Sequence, residues 1–213
     1  FTGGVAEYLF TKDQPTDEHF LQGRIDHRLR GSDLIFGRYT ISNGAVDRWP
    51  ISKPPVTFTT ESTRNQYVTV EHQHVFSPSL LNTFRGGINR SVSLADNVRT
   101  IDIPPSMSWL PGEPMGYFTI TGLVNEALGD YRLPRNDRLN NFQFGDTMFW
   151  TRGGHAAKFG FQGQYIQFNQ ETTSQRGGIV NFSNLETFLT GRPFGVDFAV
   201  PGLIDPIRNY CQW

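Results

Sequence analysis

Residues 140–170 read NNFQFGDTMFWTRGGHAAKFGFQGQYIQFNQ, and this stretch decides the fold. Large apolar side chains recur with a period of two on both sides of a polar turn at residues 152–155. They are Phe142, Phe144, Met148 and Trp150 before the turn, and Phe159, Phe161 and Tyr165 after it. Because strand side chains alternate between the two faces of a sheet, the stretch predicts a β-hairpin with one aromatic face and one polar face.

Two further stretches have the same layout. One hairpin is predicted near residues 20–41, with a turn at residues 30–33, and another near residues 66–92, with a turn at residues 77–79. Each run of roughly nine to eleven residues is long enough to cross a bilayer as a tilted strand. Short turns that alternate with much longer connections are typical of an up-and-down barrel in an outer membrane. The sequence therefore predicts an all-β fold: an antiparallel meander that forms part of a transmembrane outer-membrane β-barrel with long external loops.

The composition excludes several other classes of protein. The 213 residues are 37% hydrophobic and carry a formal charge of -1, which fits neither a bundle of membrane helices nor a disordered chain. The near-neutral balance gives no reason to expect nucleic acid as a partner. Cys211 is the only cysteine, so no intramolecular disulfide can form.

The number of predicted strands is too small for a closed barrel. The smallest single-chain barrels have about eight strands, and an open sheet in lipid would leave edge N–H and C=O groups unpaired. We therefore expect residues 1–213 to form a partial β-barrel domain of about six to eight strands, without a plug and without an N-terminal domain. A less favoured alternative adds strands at residues 5–11 and 207–213 and closes a small barrel. Pro206 and the irregular alternation after it argue against that closure.

Several patches of the sequence resemble one known family. They are GRIDHRL at 23–29, LIFGRYT at 34–40, HVFSPSLLN at 74–82, RGGINR at 85–90, NFQFGD at 141–146 and GHAAKFG at 154–160. In this order the patches resemble barrel strands of TonB-dependent outer-membrane receptors, in particular the Oar-like group that carries a carboxypeptidase-regulatory-like domain. LETFLTGRP at 185–193 resembles the short helical turn that this group places in an external loop.

The resemblance implies a receptor of the bacterial cell outer membrane. In that family a globular plug fills a barrel of about 22 strands, and the TonB energy-coupling protein acts through the plug to drive uptake of a bound nutrient. The implied partners are outer-membrane lipid, the plug, the TonB protein and an unidentified small ligand such as a siderophore, saccharide or peptide. No cofactor is implied. The present segment alone is not expected to transport anything.

The two faces of the predicted strands differ in chemistry. Charged residues are predicted to face the lumen at Arg24, Asp26, Arg28, Arg38, Glu71, Arg85, Asp146 and Lys158. These charges would form ion pairs or anchor the plug. Contacts with lipid are predicted for Phe142, Phe144, Trp150, Phe159 and Phe161. The alternative is a secreted or surface β-sandwich, such as an adhesin module. In a sandwich the same aromatic row would be a buried core between two sheets, and the charges would form the solvated face.

The long connections are where ligand contact is expected. Residues 42–64, 93–138 and 171 onward form loops of a length that is usually functional or disordered, and their prolines and aromatics favour ordered recognition surfaces. The candidate ligand contacts are Trp49, Trp109, Tyr117 and Phe118. The competing interpretation is that these rings pack the loops against themselves.

The sequence contains no constellation of side chains that indicates a reaction. His72 and His74 would lie on one face of a strand about 7 Å apart, but a metal would need a third ligand from a neighbouring strand. We therefore favour interfacial or surface histidines and predict no metal site. No Ser–His–Asp, Cys–His or paired-carboxylate constellation has a plausible spacing, so we predict no catalytic residues and no enzyme activity.

Overall fold

The computed structural model describes residues 8–50, 54–113, 115–129, 132–174, 177–197 and 207–212. The strands in these ranges are β1 (Thr16–Arg30), β2 (Asp33–Arg48), β3 (Thr57–Ser77), β4 (Leu80–Arg99), β5 (Tyr117–Ile120), β6 (Val124–Gly129), β7 (Arg132–Arg152), β8 (His155–Ser174), β9 (Ile179–Phe182), β10 (Gly195–Asp197) and β11 (Ile207–Gln212). A 3-10 turn covers Pro105–Met107, and helix α1 covers Leu185–Leu189. Among the described residues, no helix has the length and apolar character needed to cross a membrane.

A single seven-stranded sheet makes up most of the fold. Its order is β1-β2-β3-β4-β7-β8-β11, and every neighbouring pair is antiparallel. The three predicted hairpins correspond to β1–β2, β3–β4 and β7–β8, with tight turns at residues 31–32, 78–79 and 153–154. These turns lie at the same end of the sheet, which we call the short-turn rim. The predicted up-and-down meander is confirmed.

The strands of this sheet are longer than predicted, since β3 and β7 each contain 21 residues. The apolar face has a limited height: on β4 the apolar positions run from Leu80 to Ile88, about the length that crosses a bilayer as a tilted strand. Above this band the register pairs Arg90 with Asn140, and the ladder continues with mostly polar side chains. Sequence alternation is clear mainly in and near the apolar band, so the predicted strands are shorter than the observed ones.

The long connections contain short strands that the sequence does not predict, in addition to the predicted helical turn. β5 and β6 follow β4, whereas β9, α1 and β10 follow β8, and together the strands form a small sheet of order β10-β9-β5-β6. β5 and β9 pair in parallel. The buried core of the small sheet consists of Ile120, Val180 and Phe182, with Phe118 and Phe188 packed against it. Helix α1 lies within the segment predicted to form a short helical turn.

Among the described residues, the seven-stranded sheet is open. β1 pairs only with β2, and β11 pairs only with β8. The small closed barrel would need strands at residues 5–11 and 207–213. β11 forms despite the irregular alternation, but residues 8–11 are not in a strand, so the described residues contain no eight-stranded closure. Residues 5–7 and 213 lie outside the described ranges. No second described sheet covers the aromatic row, where Phe161 is 64% exposed. The β-sandwich alternative is therefore wrong for the fold.

Candidate functional site

One face of the large sheet lines a cavity of about 890 Å³, and we call it the inner face. Five of the predicted lumen-facing residues line this cavity: Arg24, Arg38, Glu71, Arg85 and Lys158. They come from five different strands and line the same cavity because the register is continuous across the sheet. Arg24 lies directly across from Arg38, and Glu71 lies directly across from Arg85.

The most buried charge on the inner face is Glu71, which is 4% exposed. Arg85 donates to Glu71 Oε2 through Nε at 2.7 Å and also through Nη2. The other carboxylate oxygen, Oε1, accepts a hydrogen bond from Gln73 Nε2 at 2.9 Å. A buried carboxylate without such partners would be costly. The pair therefore ties β3 to β4 on the inner face.

Two further cations are held by local partners. Arg24 donates to both carboxylate oxygens of Asp26, at 2.7 and 2.6 Å, and its guanidinium lies 4.2 Å from the ring centre of Phe36. The ammonium of Lys158 lies 5.0 Å from the ring centre of Phe149. Aromatic faces attract cations, so both side chains are oriented within the cavity rather than left to extend freely.

Arg28 and Arg38 differ from the other cations. Both are exposed and share the inner face with Arg24, and within the described part of the chain neither forms an ion pair or a side-chain hydrogen bond. Arg38 also lies across from Arg24, and two like charges at directly opposite positions repel each other. The inner face therefore presents positive charge that the described residues do not neutralise.

The structure corrects the placement of Asp146. Its register partners are Phe84 and Phe161, whose strand positions put their side chains on the face opposite Arg85 and Lys158. Asp146 has the same parity as Phe144, so strand alternation puts both on one side; the prediction followed the polarity of the residue instead of its position. We call this side the outer face, and the register places on it all five residues predicted to contact lipid, Phe142, Phe144, Trp150, Phe159 and Phe161.

Polar side chains interrupt the apolar outer face close to the short-turn rim. This outer polar patch consists of Asp33, His72, His74, Asn82 and Asp146. Asp33 Oδ1 lies 2.9 Å from His72 Nε2 and 2.6 Å from His74 Nδ1, and Asn82 Nδ2 donates to Asp146 Oδ1 at 2.7 Å. His74 is the register partner of both Asp33 and Asn82, so the patch is continuous across β2, β3, β4 and β7. The spacing of His72 and His74 in the sequence indicates the pair, whereas the contact with Asp33 depends on the register between β2 and β3.

The aromatic residues proposed for ligand contact are mostly packed. Trp49 stacks on Phe58 with ring centres 4.3 Å apart, and the ammonium of Lys12 lies 3.6 Å from its ring centre. Trp109 packs against the core of the small sheet.

Phe118 and Tyr117 belong to the small sheet as well. Phe118 stacks on Phe188 with ring centres 5.2 Å apart, and Tyr117 is 7% exposed. The ring of Tyr117 is therefore buried in the packing of the loops. The competing interpretation, in which these rings pack the loops against themselves, describes the observed contacts.

A single-layer antiparallel sheet with an apolar outer face and a polar, cavity-lining inner face is the architecture of a transmembrane β-barrel wall. The chain belongs to the family described as outer membrane beta barrel domain, which residues 2–202 match. The family places the protein in the bacterial outer membrane. Comparisons with curated proteins and with solved structures give no match.

Proposed function

We propose that this chain is a wall segment of a TonB-dependent receptor whose intact parent imports an unidentified nutrient, such as a siderophore, saccharide or peptide. The observation that carries the proposal is the positive charge of the inner face, where Arg28 and Arg38 have no partner among the described residues. In a receptor of this class a plug fills the lumen, and its carboxylates are the natural partners for such arginines. The resemblance of the strand sequences supports the same class.

The outer face and the loops have separate roles in this proposal. The aromatic row from Phe142 to Phe161 contacts outer-membrane lipid, and further strands of the parent pair with the free edges of β1 and β11, since an open edge is not tolerated in lipid. The small sheet stands at the long-loop rim and contributes to ligand recognition there. The plug couples the wall to the TonB protein. Neither an enzymatic step nor a nucleic-acid partner is part of the proposal.

Uptake by the intact parent tests the proposal. Cells that carry the full-length protein are offered labelled ferric siderophores, oligosaccharides and peptides, with and without a protonophore. We expect uptake of one of these classes, and we expect the protonophore to abolish it. Uptake that persists without an energised inner membrane would mean that the barrel is a passive pore and would contradict the proposal.

A charge reversal connects the uptake experiment to the inner face. The Arg38→Glu variant should lower energised uptake several-fold at an unchanged amount of protein in the outer membrane, because a plug carboxylate would then face a like charge. The matched control is Arg90→Glu, which reverses an exposed arginine on the outer face above the apolar band. Equal effects of the two variants would argue against a role for the inner-face charge.

A further inference from the structure

The outer polar patch brings together three metal-ligating side chains that are distant in sequence. Asp33 is the first residue of β2, and His72 and His74 lie near the end of β3. The register sets His74 directly across from Asp33, and His72 follows on the same face two residues further from the rim. One ligand atom from each of the three residues lies within 4.8 Å of the other two.

We propose that Asp33, His72 and His74 form a binding site for a divalent transition metal ion of the Zn²⁺ type. Asp33 would supply Oδ1, His72 would supply Nε2 and His74 would supply Nδ1. The inference rests on these three residues alone and does not depend on the proposed transport function.

The geometry is close to what such an ion requires. Zn²⁺ binds imidazole nitrogen and carboxylate oxygen at about 2.0 to 2.2 Å, so tetrahedral ligand atoms lie about 3.3 Å apart. The nitrogen atoms of His72 and His74 now lie 2.9 and 2.6 Å from Asp33 Oδ1. Small side-chain rotations would open these contacts and admit the ion between the three atoms, where its two positive charges would replace the hydrogen bonds that the carboxylate now accepts.

Neighbouring contacts already orient two of the ligands. Ser32 Oγ donates to Asp33 Oδ2 at 3.0 Å, which leaves Oδ1 turned towards the histidines. The ring of His74 packs edge-on against Phe76, with ring centres 4.3 Å apart. Such supporting contacts fix the orientation of metal ligands and raise affinity. Asp33 directly follows the tight turn at residues 31–32, so an ion can reach the site from the short-turn rim. The side chains of Asp33 and His72 are 18% and 38% exposed, so the site is partly shielded by its neighbours.

The ligand set also indicates which ions bind. Two imidazoles with one carboxylate suit Zn²⁺, Cu²⁺, Ni²⁺ and Fe²⁺, whereas Mg²⁺ and Ca²⁺ prefer all-oxygen sites. Because the ligands come from two neighbouring strands, a bound ion would cross-link β2 and β3 at the short-turn rim. An ion that binds the folded state but not the unfolded state would also raise the stability of the folded protein.

The test uses the full-length parent, purified without a polyhistidine tag and folded in detergent micelles. Co²⁺ is titrated as a spectroscopic probe, and Zn²⁺ is then added as a competitor. We expect visible absorption bands of nitrogen- and oxygen-ligated Co²⁺ that saturate at a single ion per chain and disappear with Zn²⁺. Mg²⁺ should not compete. Wild-type protein that shows no such bands would overturn the proposal without the need for any variant.

Substitutions assign the site. His72→Gln, His74→Gln and Asp33→Asn should each weaken Zn²⁺ binding by about 100-fold or more, since even loss of a supporting contact costs about 10- to 100-fold. His155→Gln is the matched control, because His155 is an exposed histidine at the turn of another hairpin. Unchanged binding in all three patch variants, or equal loss in His155→Gln, would overturn the assignment. If a patch variant does not fold, the temperature of unfolding of the wild-type protein decides: Zn²⁺ should raise it, and Mg²⁺ should not.

Discussion

Single residues on the inner face differ in how much the fold depends on them. Glu71 is buried and receives hydrogen bonds from Arg85 and Gln73, whereas Asp26, the partner of Arg24, is exposed. Removing one partner of a buried ion pair leaves an uncompensated charge in a poorly hydrated place, and removing one partner of an exposed pair does not. The Glu71–Arg85 pair should therefore matter much more for stability than the Arg24–Asp26 pair.

This difference gives the first prediction. Arg85→Met should lower the free energy of unfolding by about 2 kcal/mol, because Glu71 keeps only Gln73 as a partner. Arg24→Met should have a clearly smaller effect. Adding Glu71→Gln to Arg85→Met should recover part of the loss, since a neutral amide tolerates burial better than a carboxylate. Urea unfolding of the full-length parent in lipid vesicles, followed by tryptophan fluorescence, measures all three variants. Similar losses for the two arginine variants would refute the argument.

At the residue scale, strand alternation predicted most of the inner-face charges but failed in two places. Asp146 was placed on the wrong face although its even number, shared with Phe144 and Met148, was visible in the sequence. Asp33 was missed for a different reason. Its partnership with His74 depends on the register between β2 and β3, and the connection at residues 49–56 is too long to fix that register from the sequence alone.

Glycines shape the middle of the outer face at the scale of the strand. Phe144 on β7 lies between Gly86 on β4 and Gly163 on β8, its two cross-strand partners. A Cβ added at Gly163 would overlap the ring of Phe144, so the ring occupies the space that a side chain would need. An aromatic ring that packs over a glycine on the neighbouring strand stabilises the cross-strand pair.

The second prediction follows from this arrangement. Gly163→Ala should lower the free energy of unfolding by about 1 to 3 kcal/mol, because the ring of Phe144 must move. Gly23→Ala is the control: Gly23 is also a strand glycine on the outer face, but a Cβ there meets nothing within 4 Å. The control should change stability by less than about 0.5 kcal/mol. The same vesicle unfolding assay measures both variants. An unchanged free energy of unfolding in Gly163→Ala would show that the ring of Phe144 can move without cost.

The small sheet is a second element with its own core. Phe182 is buried and meets Phe188 edge-on, with ring centres 5.2 Å apart. Few contacts join this element to the rest of the described chain, so it is a candidate for local unfolding that leaves the large sheet intact.

The third prediction concerns that local unfolding. Phe182→Ala should destabilise the small sheet by about 3 kcal/mol, and hydrogen exchange should show faster exchange in β5 and β9 with unchanged protection in β3, β4 and β7. Phe194→Ala truncates an exposed phenylalanine of the same loop and should leave the exchange rates unchanged. Faster exchange throughout the large sheet in Phe182→Ala would mean that the two sheets unfold together.

For the molecule as a whole, local patterns account for the wall but not for the loops. Each hairpin of the wall joins strands that adjoin in sequence, so alternation and turn residues were sufficient to predict it. The small sheet instead pairs Tyr117–Ile120 with Ile179–Phe182 across more than a whole hairpin. No local signal specifies that parallel pairing, so the packing of the loop aromatics cannot be derived from the sequence alone.

The two rims give the last prediction. In outer-membrane barrels tight turns face the periplasm and long loops face the outside. Two single-cysteine variants in a Cys211→Ser background report the two rims. Leu189→Cys replaces an exposed residue of α1 at the long-loop rim, and Gly154→Cys lies in a tight turn where an added Cβ meets nothing within 4 Å. In intact cells that carry the full-length parent, a membrane-impermeant maleimide should label Leu189→Cys. It should label Gly154→Cys only after the outer membrane is permeabilised. Labelling of Gly154→Cys in intact cells would invert the orientation and place the outer polar patch at the cell exterior.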